Sequence, residues 1–294
     1  MKKKLIVFFS LSLTVFSLST QAKIFTGTID KDTAMRSVSR ALPYEIAEPL
    51  VVVKKANVVF PAILSQHASA SIHYIENFSV QRKKYITFIY KKSKAYFPKV
   101  EKILDQYNIP REFKVLMAIE SGFRSNAVSP AGAVGYWQFM NDVALEYGLK
   151  VKSRAISKKT GHPSHKKINS TDDRMDFDKS THAAARYLLD RSKNLNNDWL
   201  LVAASYNCGI GNVWKAMKKT GKSNASFWEV KNYLPKETQQ YVMNFITLNV
   251  MLSNFDKYAE GELCFRDEYS GSEEINAIFR DAEMQQCLSA VALL

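Results

Sequence analysis

From residue 72 onward, apolar side chains recur three and four positions apart, which is the pattern of one buried helix face. The first such run begins at Ile72, and a longer one extends over residues 85–107. Pro98 lies in the longer run, at a place that predicts the first residue of a helix. Between about residues 23 and 59 no clear period is found, so this part is predicted to be an extended lead-in with some local structure.

A short apolar helix is predicted from Arg111 to Gly122, because Pro110 breaks the preceding pattern and glycine commonly ends a helix. Asn141 is placed to cap the next predicted helix. No strand pattern of any length is found after residue 60, and 11 glycines with 8 prolines are few for an all-β chain. The fold class is therefore predicted to be all-α, with further helices at about residues 139–148, 178–194, 198–208, 211–220 and 235–254.

The first 22 residues differ from the rest of the chain. A basic head, Met1-Lys2-Lys3-Lys4, precedes the apolar stretch 5–18, and Thr20 and Ala22 stand at the −3 and −1 positions of a cleavage site. This order is typical of a cleavable signal peptide over residues 1–22. A membrane anchor is the alternative, but 14 residues are fewer than the roughly 20 that a spanning helix needs. Export to the periplasm or cell envelope is expected, without lipid attachment because no cysteine follows the apolar stretch.

Basic residues outnumber acidic ones, which predicts an anionic partner. Without the three signal-peptide lysines, the 41 basic residues become 38 against 28 acidic ones, a net charge of +10 with histidine neutral. Nucleic acid is the usual partner for such a balance. An exported protein rarely meets it, so wall polymers with free carboxylates or an anionic membrane surface are favoured.

A basic segment, residues 151–171, holds six of these positive charges and no acid. We expect this segment either to contact an anionic wall polymer or membrane surface, or to be a loop kept solvated by its charge. Its basic residues are Lys152, Arg154, Lys158, Lys159, Lys166 and Lys167.

Glu120 stands at an unusual place for a carboxylate. It follows a run of apolar residues at the last turn of the predicted 111–122 helix, which must be buried to be stable. Burial disfavours the ionised form, and so does the partial negative charge at a helix C-terminus. The resulting rise in pKa would leave a carboxylic acid protonated near neutral pH, as general acid catalysis requires. A solvated or salt-bridged glutamate is the other interpretation.

Aromatic and amide side chains follow in two further segments. Tyr136-Trp137-Gln138 comes after a glycine-containing turn, and Tyr206-Asn207 lies near the end of the helix predicted at 198–208. Such pairs can bind sugars, because an aromatic face contacts the apolar side of the ring and an amide meets hydroxyl or N-acetyl groups. Taken one at a time, each residue can equally be a core aromatic or a turn residue.

Taken in order, these segments resemble the Slt-type lytic transglycosylases of glycoside hydrolase family 23, and within them the membrane-bound lytic murein transglycosylase D branch. The similarity extends from about residue 74 to residue 258, and the acidic element 172–176 resembles that branch as well. The family usually has Leu where Tyr136 stands and Ala where Ser205 stands, which leaves the subsite preference open. The motifs that carry the resemblance are Glu120-Ser121, Gly135-Tyr136-Trp137-Gln138, Ser205-Tyr206-Asn207 and Glu237-Thr238-Gln239-Gln240-Tyr241-Val242.

The resemblance implies a lysozyme-like catalytic domain over residues 99–258. An N-terminal extension at 23–98, helical from about 72, would precede it, and a tail at 259–294 would follow. It also implies a monomer that needs no cofactor and acts on peptidoglycan. Such an enzyme cleaves the β-1,4 bond between N-acetylmuramic acid and N-acetylglucosamine and forms 1,6-anhydromuramoyl ends, with Glu120 acting first as acid and then as base.

The resemblance also implies roles for the other motif residues. Tyr241 would hydrogen-bond and orient Glu120, and the tyrosine–asparagine pair of the third motif would engage the N-acetyl group. The full set of implied substrate contacts is Ser121, Tyr136, Trp137, Gln138, Tyr206, Asn207 and Tyr241.

Two alternatives stay open. A goose-type lysozyme-like hydrolase would need a positioned water and usually a second acid. No Asp or Glu occurs between Glu120 and Asp142, so the candidates are Asp172, Asp173 and Asp176. A non-catalytic wall-binding or assembly factor is the other alternative, but such a protein would be expected to have lost the glutamate.

Three cysteines in an oxidising compartment allow one disulfide and one remaining thiol. Cys208 directly follows the Tyr206-Asn207 pair and is expected to be buried and reduced, so Cys264 and Cys287 are the better disulfide candidates. The cysteine count predicts no zinc site. His162 and His165 are interpreted as solvated loop residues rather than as a metal pair.

Overall fold

The computed structural model describes residues 52–151 and 172–269, together with Ala277, Arg280 and Asp281. The predicted signal peptide, most of the basic segment, both loop histidines and Cys287 lie outside the described residues. Helices predominate in the part that is described, so the prediction of a mainly helical fold is confirmed.

Ten α-helices occur among the described residues, numbered here in chain order. The five helices predicted between residues 139 and 254 match α4, α5, α6, α7 and α9, with ends that differ by two residues or fewer. Four short 3₁₀ helices accompany them, at Ala62–His67, Arg111–Lys114, Asp173–Met175 and Lys231–Tyr233. The α-helices are α1 (Ala68–Gln81), α2 (Lys83–Gln106), α3 (Val115–Ser121), α4 (Asn141–Glu146), α5 (Phe177–Asn194), α6 (Trp199–Cys208), α7 (Ile210–Thr220), α8 (Phe227–Val230), α9 (Lys236–Ser253) and α10 (Phe255–Glu260).

Helix α9 runs through the core. Its buried side chains include Val242, Phe245, Ile246 and Met251, and it packs against α1, α3 and α6. A helix that is buried on most sides is stable only inside a folded protein. Helix α9 therefore brings the residues of the last motif next to those on α3 and α6.

The prediction that Pro98 begins a helix is wrong. Pro98 lies inside α2, although a proline lacks the N–H that would bond to the carbonyl four residues earlier. A proline in a helix interior costs about 3 kcal/mol, whereas each fully buried aliphatic or aromatic side chain contributes roughly 1.5–3 kcal/mol. Packing therefore outweighs the local loss, through the buried side chains of Ile86, Ile89, Phe97, Val100, Ile103 and Leu104.

The prediction of Asn141 as a helix cap is also wrong. Asn141 is the first residue of α4, and Met140 precedes the helix in an extended conformation. The Asn141 Oδ1 atom accepts a hydrogen bond from Arg174 Nη1 at 2.6 Å. A contact with a residue distant in the sequence therefore replaces the local cap.

Two short strands join the N-terminal lead-in to the C-terminal part. Strand β1 (Val52–Lys54) pairs antiparallel with β2 (Glu268–Tyr269). Asn57 extends the contact, since its N–H donates to the Cys264 carbonyl at 2.9 Å and its Oδ1 accepts from the Cys264 N–H at 2.9 Å. The predicted domain limits stay predictions, and residues 98 and 99 both lie within α2.

The two cysteines in the described part of the chain, Cys208 and Cys264, form no disulfide with each other. Cys208 is half-buried rather than fully buried, and Cys264 is buried. Since Cys287 lies outside the described residues, its pairing with Cys264 stays a prediction. No described helix combines the length and the apolar character needed to cross a bilayer.

Candidate active site

Helix α3 delivers Glu120 to the edge of the core. Its first four residues, 115–118, are buried, and Gly122 ends the helix in the left-handed conformation with φ of 57°. A glycine adopts this conformation without the steric penalty of a side chain. The chain turns away at that point and leaves the Glu120 carboxyl at the end of a buried helix.

Tyr241 of α9 holds the Glu120 carboxyl. The Tyr241 hydroxyl donates a hydrogen bond to Glu120 Oε1 at 2.6 Å, and the tyrosine is only 7% exposed. Burial and the adjacent Glu120 charge raise the pKa of Tyr241 well above its usual value, so its hydroxyl remains a donor. The contact joins residues 121 positions apart in the sequence.

The environment of Glu120 raises its pKa from 4.5 to about 7. Burial is the largest cause, and the hydrogen bond from Tyr241 opposes it by stabilising the ionised form. The negative charge of Glu237 adds a further rise. Glu120 is thus able both to give and to accept a proton near neutral pH.

Glu237 is the acid at this site that the sequence analysis did not single out as an electrostatic partner. It is exposed and lies on α9, four residues before Tyr241. Residues four apart lie on the same helix face. That spacing within the last motif is the signal that would have placed Glu237 beside Glu120.

The Gly135–Gln138 turn is held against the rest of the core. Gly135 has φ of 85°, and a Cβ atom there would lie 1.9 Å from the Arg174 carbonyl oxygen, so the close approach requires glycine. The prediction that Trp137 contacts substrate is wrong, because its side chain is 0% exposed. Its indole N–H donates to Thr181 Oγ1 at 3.0 Å, which makes Trp137 a core residue that anchors the turn.

Ser121 also faces inward. It is 1% exposed, and its hydroxyl lies 2.8 Å from the Tyr136 carbonyl, to which it donates. Its oxygen also accepts from the Arg124 N–H at 3.3 Å. The prediction that Ser121 holds the substrate is therefore replaced by a structural role, since its hydroxyl fixes the turn to the end of α3.

Gln138 and Tyr136 remain at the surface of the turn. Both are partly exposed. The Gln138 Nε2 atom donates to the Ala127 carbonyl at 3.1 Å and the Gly135 carbonyl at 2.9 Å, which fixes the amide group. Its Oε1 atom makes no hydrogen bond to the described residues, so it is the acceptor that Gln138 presents. The Tyr136 ring packs edge-on against Phe177, with centroids 5.6 Å apart.

Tyr206 and Asn207 lie at the end of α6, near Glu120. The Tyr206 hydroxyl donates to the Trp137 carbonyl at 2.8 Å. Burial raises the pKa of Tyr206 well above its usual value, and the negative charge of Glu120 adds to that rise. The Asn207 Oδ1 atom accepts from Thr238 Oγ1 at 2.7 Å. The Asn207 amide N–H₂ has no partner within the described residues and is the free donor of the pair.

The three aspartates considered as a second acid are engaged in structure. Asp172 forms a buried ion pair with Arg174 at 2.7 Å, and Asp173 pairs with Lys179 at 2.7 Å. Asp176 caps α5 by accepting from the Lys179 N–H. We therefore do not assign them to proton transfer. Across residues 52–151 and 172–269, no group of three His, Cys, Asp or Glu side chains is arranged to hold a metal ion.

Comparison with known proteins adds a family match. Residues 99–228 match the family described as "Transglycosylase SLT domain". Over 181 residues the chain is 31% identical to "Membrane-bound lytic murein transglycosylase D" of Escherichia coli, which covers 61% of this chain and 36% of that protein. The chain thus spans about a third of the length of this relative. The resemblance inferred from the four motifs is confirmed.

Two solved structures are also similar in part. An inactive mutant of lytic transglycosylase Slt from Pseudomonas aeruginosa gives a TM-score of 0.41 at 23% identity, covering 60% of this chain and 25% of that one. The 70 kDa soluble lytic transglycosylase of Escherichia coli also gives 0.41, at 16% identity, covering 80% of this chain and 42% of that one.

Proposed function

We propose that this chain, whose residues 99–228 match the SLT transglycosylase domain, is a peptidoglycan lytic transglycosylase. It would cleave the β-1,4 bond between N-acetylmuramic acid and N-acetylglucosamine and leave 1,6-anhydromuramoyl ends. The observation that carries the proposal is the Glu120 carboxyl at the end of α3, whose surroundings raise its pKa to about 7 and which accepts a hydrogen bond from Tyr241.

In the first step, protonated Glu120 gives its proton to the glycosidic oxygen. The bond between that oxygen and C1 of the muramoyl residue breaks, and N-acetylglucosamine leaves with a hydroxyl group. Positive charge develops at C1, and the newly ionised Glu120 remains close to it. The raised pKa supports this step, because the acid must hold its proton until the leaving oxygen needs it.

In the second step, the Glu120 carboxylate accepts the proton of the muramoyl C6 hydroxyl. The C6 oxygen then forms a bond to C1 and closes the 1,6-anhydro ring. The proton given in the first step is recovered in the second, so no water is consumed. Tyr241 donates to Oε1 throughout, so it positions Glu120 and stabilises the ionised form between the steps.

The groups left free around Glu120 suit an N-acetylated sugar. Asn207 presents amide donors and Gln138 a carbonyl acceptor, and the exposed part of the Tyr136 ring provides a surface for the sugar face. Tyr206 contributes through the Trp137 carbonyl that it holds. The predicted export to the cell envelope suits peptidoglycan as the substrate. The positive net charge suits it as well, since peptidoglycan carries free carboxylates.

The chemical form of the released sugar ends distinguishes transglycosylation from hydrolysis. Purified peptidoglycan is digested in water labelled with heavy oxygen, and the soluble fragments are analysed by mass spectrometry. Anhydro ends, lighter than hydrolysis products by the mass of one water and without label, are expected. Glu120→Gln cannot transfer the proton, so its turnover should fall at least about 10²-fold. Labelled reducing ends, or full activity in this variant, would contradict the proposal.

A hydrolase is the second candidate, and the observation that favours it is Glu237. This exposed acid lies close enough to Glu120 to raise its pKa, and paired carboxylates flank the cleaved bond in most glycosidases. In a hydrolase Glu237 would activate water, so Glu237→Gln would abolish activity and wild-type products would carry the label. In a transglycosylase the same variant stays active.

A further inference from the structure

A cleft of about 620 Å³ opens beside the proposed catalytic residues. Its walls come from α1, the start of α2, α3 and α9. Ile119 and Gln240 both line it, and they directly precede Glu120 and Tyr241. The cleft therefore adjoins α3 and α9 one residue before Glu120 and Tyr241, and the reaction described above does not use it.

One wall of the cleft is aromatic. The Tyr74 and Phe78 rings are stacked with centroids 6.3 Å apart, and the Phe78 and Tyr85 rings meet edge-on at 6.3 Å. The Tyr74 hydroxyl donates to Asn244 Oδ1 at 2.9 Å, which fixes α1 to α9. The three rings give this wall its apolar contact area.

Arg82 gives the cleft its charge. It lies at the junction of α1 and α2, is exposed, and forms no ion pair with any described residue. Its charge lowers the pKa of both Tyr74 and Tyr85, against the larger rise caused by burial, so the guanidinium lies near both phenols. No Asp or Glu is among the residues that line the cleft. A ligand with a carboxylate is therefore matched, because guanidinium forms paired hydrogen bonds with that group.

The remaining lining side chains are mainly amides. Asn77 and Gln81 come from α1, and Gln240 and Asn244 face them from α9. An amide side chain has both donors and an acceptor, which complements the N–H and C=O groups of a peptide bond. The aromatic wall, the amide side chains and the Arg82 guanidinium together fit a short peptide that ends in a carboxylate.

We propose that this cleft binds the carboxylated peptide branch that the muramoyl residues of peptidoglycan carry. The inference rests on the proposed function for the identity of the glycan. Helix α1, Arg82, Gln240 and Asn244 all lie outside residues 99–228, so the elements flanking the matched domain would supply this recognition.

Two exposed aromatic side chains of α2 lie between the cleft and the end of α3. Tyr85 is 36% exposed and Phe88 is 47% exposed. Phe88 Cε1 lies 3.9 Å from the place that a Cβ atom on Gly122 would occupy. An exposed aromatic rim thus leads from Arg82 to the end of α3, and a peptide in the cleft remains attached to a sugar held beside Glu120.

Binding is tested without turnover, in the Glu120→Gln background. The probe is a soluble N-acetylmuramoyl dipeptide with a free C-terminal carboxylate, measured by isothermal titration calorimetry. Adding Arg82→Gln should weaken binding about tenfold, as expected for loss of one charge-assisted contact. Amidating the probe should have the same effect without the Arg82 change, and Arg82→Lys should recover part of the affinity.

Lys84→Gln is the matched control, since it removes one exposed positive charge two residues away that does not line the cleft. It should leave binding unchanged. If Lys84→Gln and Arg82→Gln lowered the affinity equally, the effect would be a general electrostatic attraction to a basic surface. That result would overturn the proposal. If Arg82→Gln weakened the binding of an uncharged N-acetylglucosamine oligosaccharide by the same factor, the cleft would be a sugar site. That result would also overturn the proposal.

Kinetics separate this inference from the proposed function. In the active protein, the ratio of kcat/KM on peptide-bearing strands to that on strands stripped of peptide should fall about tenfold in Arg82→Gln. An unchanged ratio, with anhydro products still formed, would refute the cleft assignment alone. Carboxylate-dependent binding without anhydro products in the wild type would refute the transglycosylase and leave the peptide site standing.

Discussion

Replacing Glu120 by glutamine should stabilise the fold at neutral pH while it removes activity. The amide keeps the size of the side chain and an oxygen that can accept the Tyr241 hydroxyl, but it cannot ionise. The substitution therefore removes only the penalty of holding a carboxylate in a buried place. Its effect on stability depends on pH in a way that follows from the raised pKa.

The magnitude follows from the two pKa values of Glu120. The folded protein holds the proton with a pKa of about 7, whereas the reference value is 4.5. Because folding raises this pKa, the unfolded chain ionises first, and wild-type stability falls as pH rises from about 4 to about 7. At about 1.4 kcal/mol per pKa unit, the full loss is roughly 3 kcal/mol above pH 7.

Equilibrium urea unfolding, followed by circular dichroism, measures this loss. Between about pH 5 and about pH 8, the free energy of unfolding of Glu120→Gln should rise by roughly 2–3 kcal/mol relative to that of the wild type. The urea concentration at the unfolding midpoint should rise by about 1 M relative to the wild type over the same range. Glu260→Gln, at the exposed end of α10, is the matched control and should show no such gain. If the gain is absent, or if Glu120→Gln is the less stable protein at pH 8, Glu120 is ionised at neutral pH and the acid step loses its basis.

Three further predictions concern the surroundings of Glu120. Tyr241→Phe removes a bond that lowers the Glu120 pKa, so the alkaline limb of the kcat/KM profile should move up by about one pH unit. Glu237→Gln removes a charge that raises that pKa, so the same limb should move down; movement in one direction for both variants would contradict the assigned causes. Gly135→Ala places a Cβ atom 1.9 Å from the Arg174 carbonyl, and urea unfolding should register a loss of roughly 3 kcal/mol or a failure to fold. Wild-type stability in Gly135→Ala would mean that the turn does not approach so closely.

The order of helices and the place of Glu120 could be predicted from local sequence. A period of three to four residues identifies a helix because neighbouring turns share one face, and Gly122 marks an end for a reason that is equally local. The helix predicted at 235–254 differs from α9 by one residue at each end. Pro98 is the exception, since the packing of α2 outweighs a strong local signal.

Within the site, the sequence determined which residues gather, and the tertiary structure decided which way they face. Ser121 and Trp137 stand in motifs beside Glu120, yet both point inward, because the Ser121 hydroxyl donates to the Tyr136 carbonyl and the Trp137 indole donates to Thr181. The sequence cannot give that direction, because it depends on a contact between residues far apart along the chain.

The pKa of Glu120 was decided in the same way. A helix made of apolar residues already predicts a buried carboxyl and a raised pKa. The opposing effects of Tyr241 and Glu237 exist only once α9 lies against α3, more than a hundred positions later in the chain. Local periodicity thus fixes the elements and the residue that can transfer a proton, whereas packing between distant elements sets its proton affinity and the shape of the groove around it.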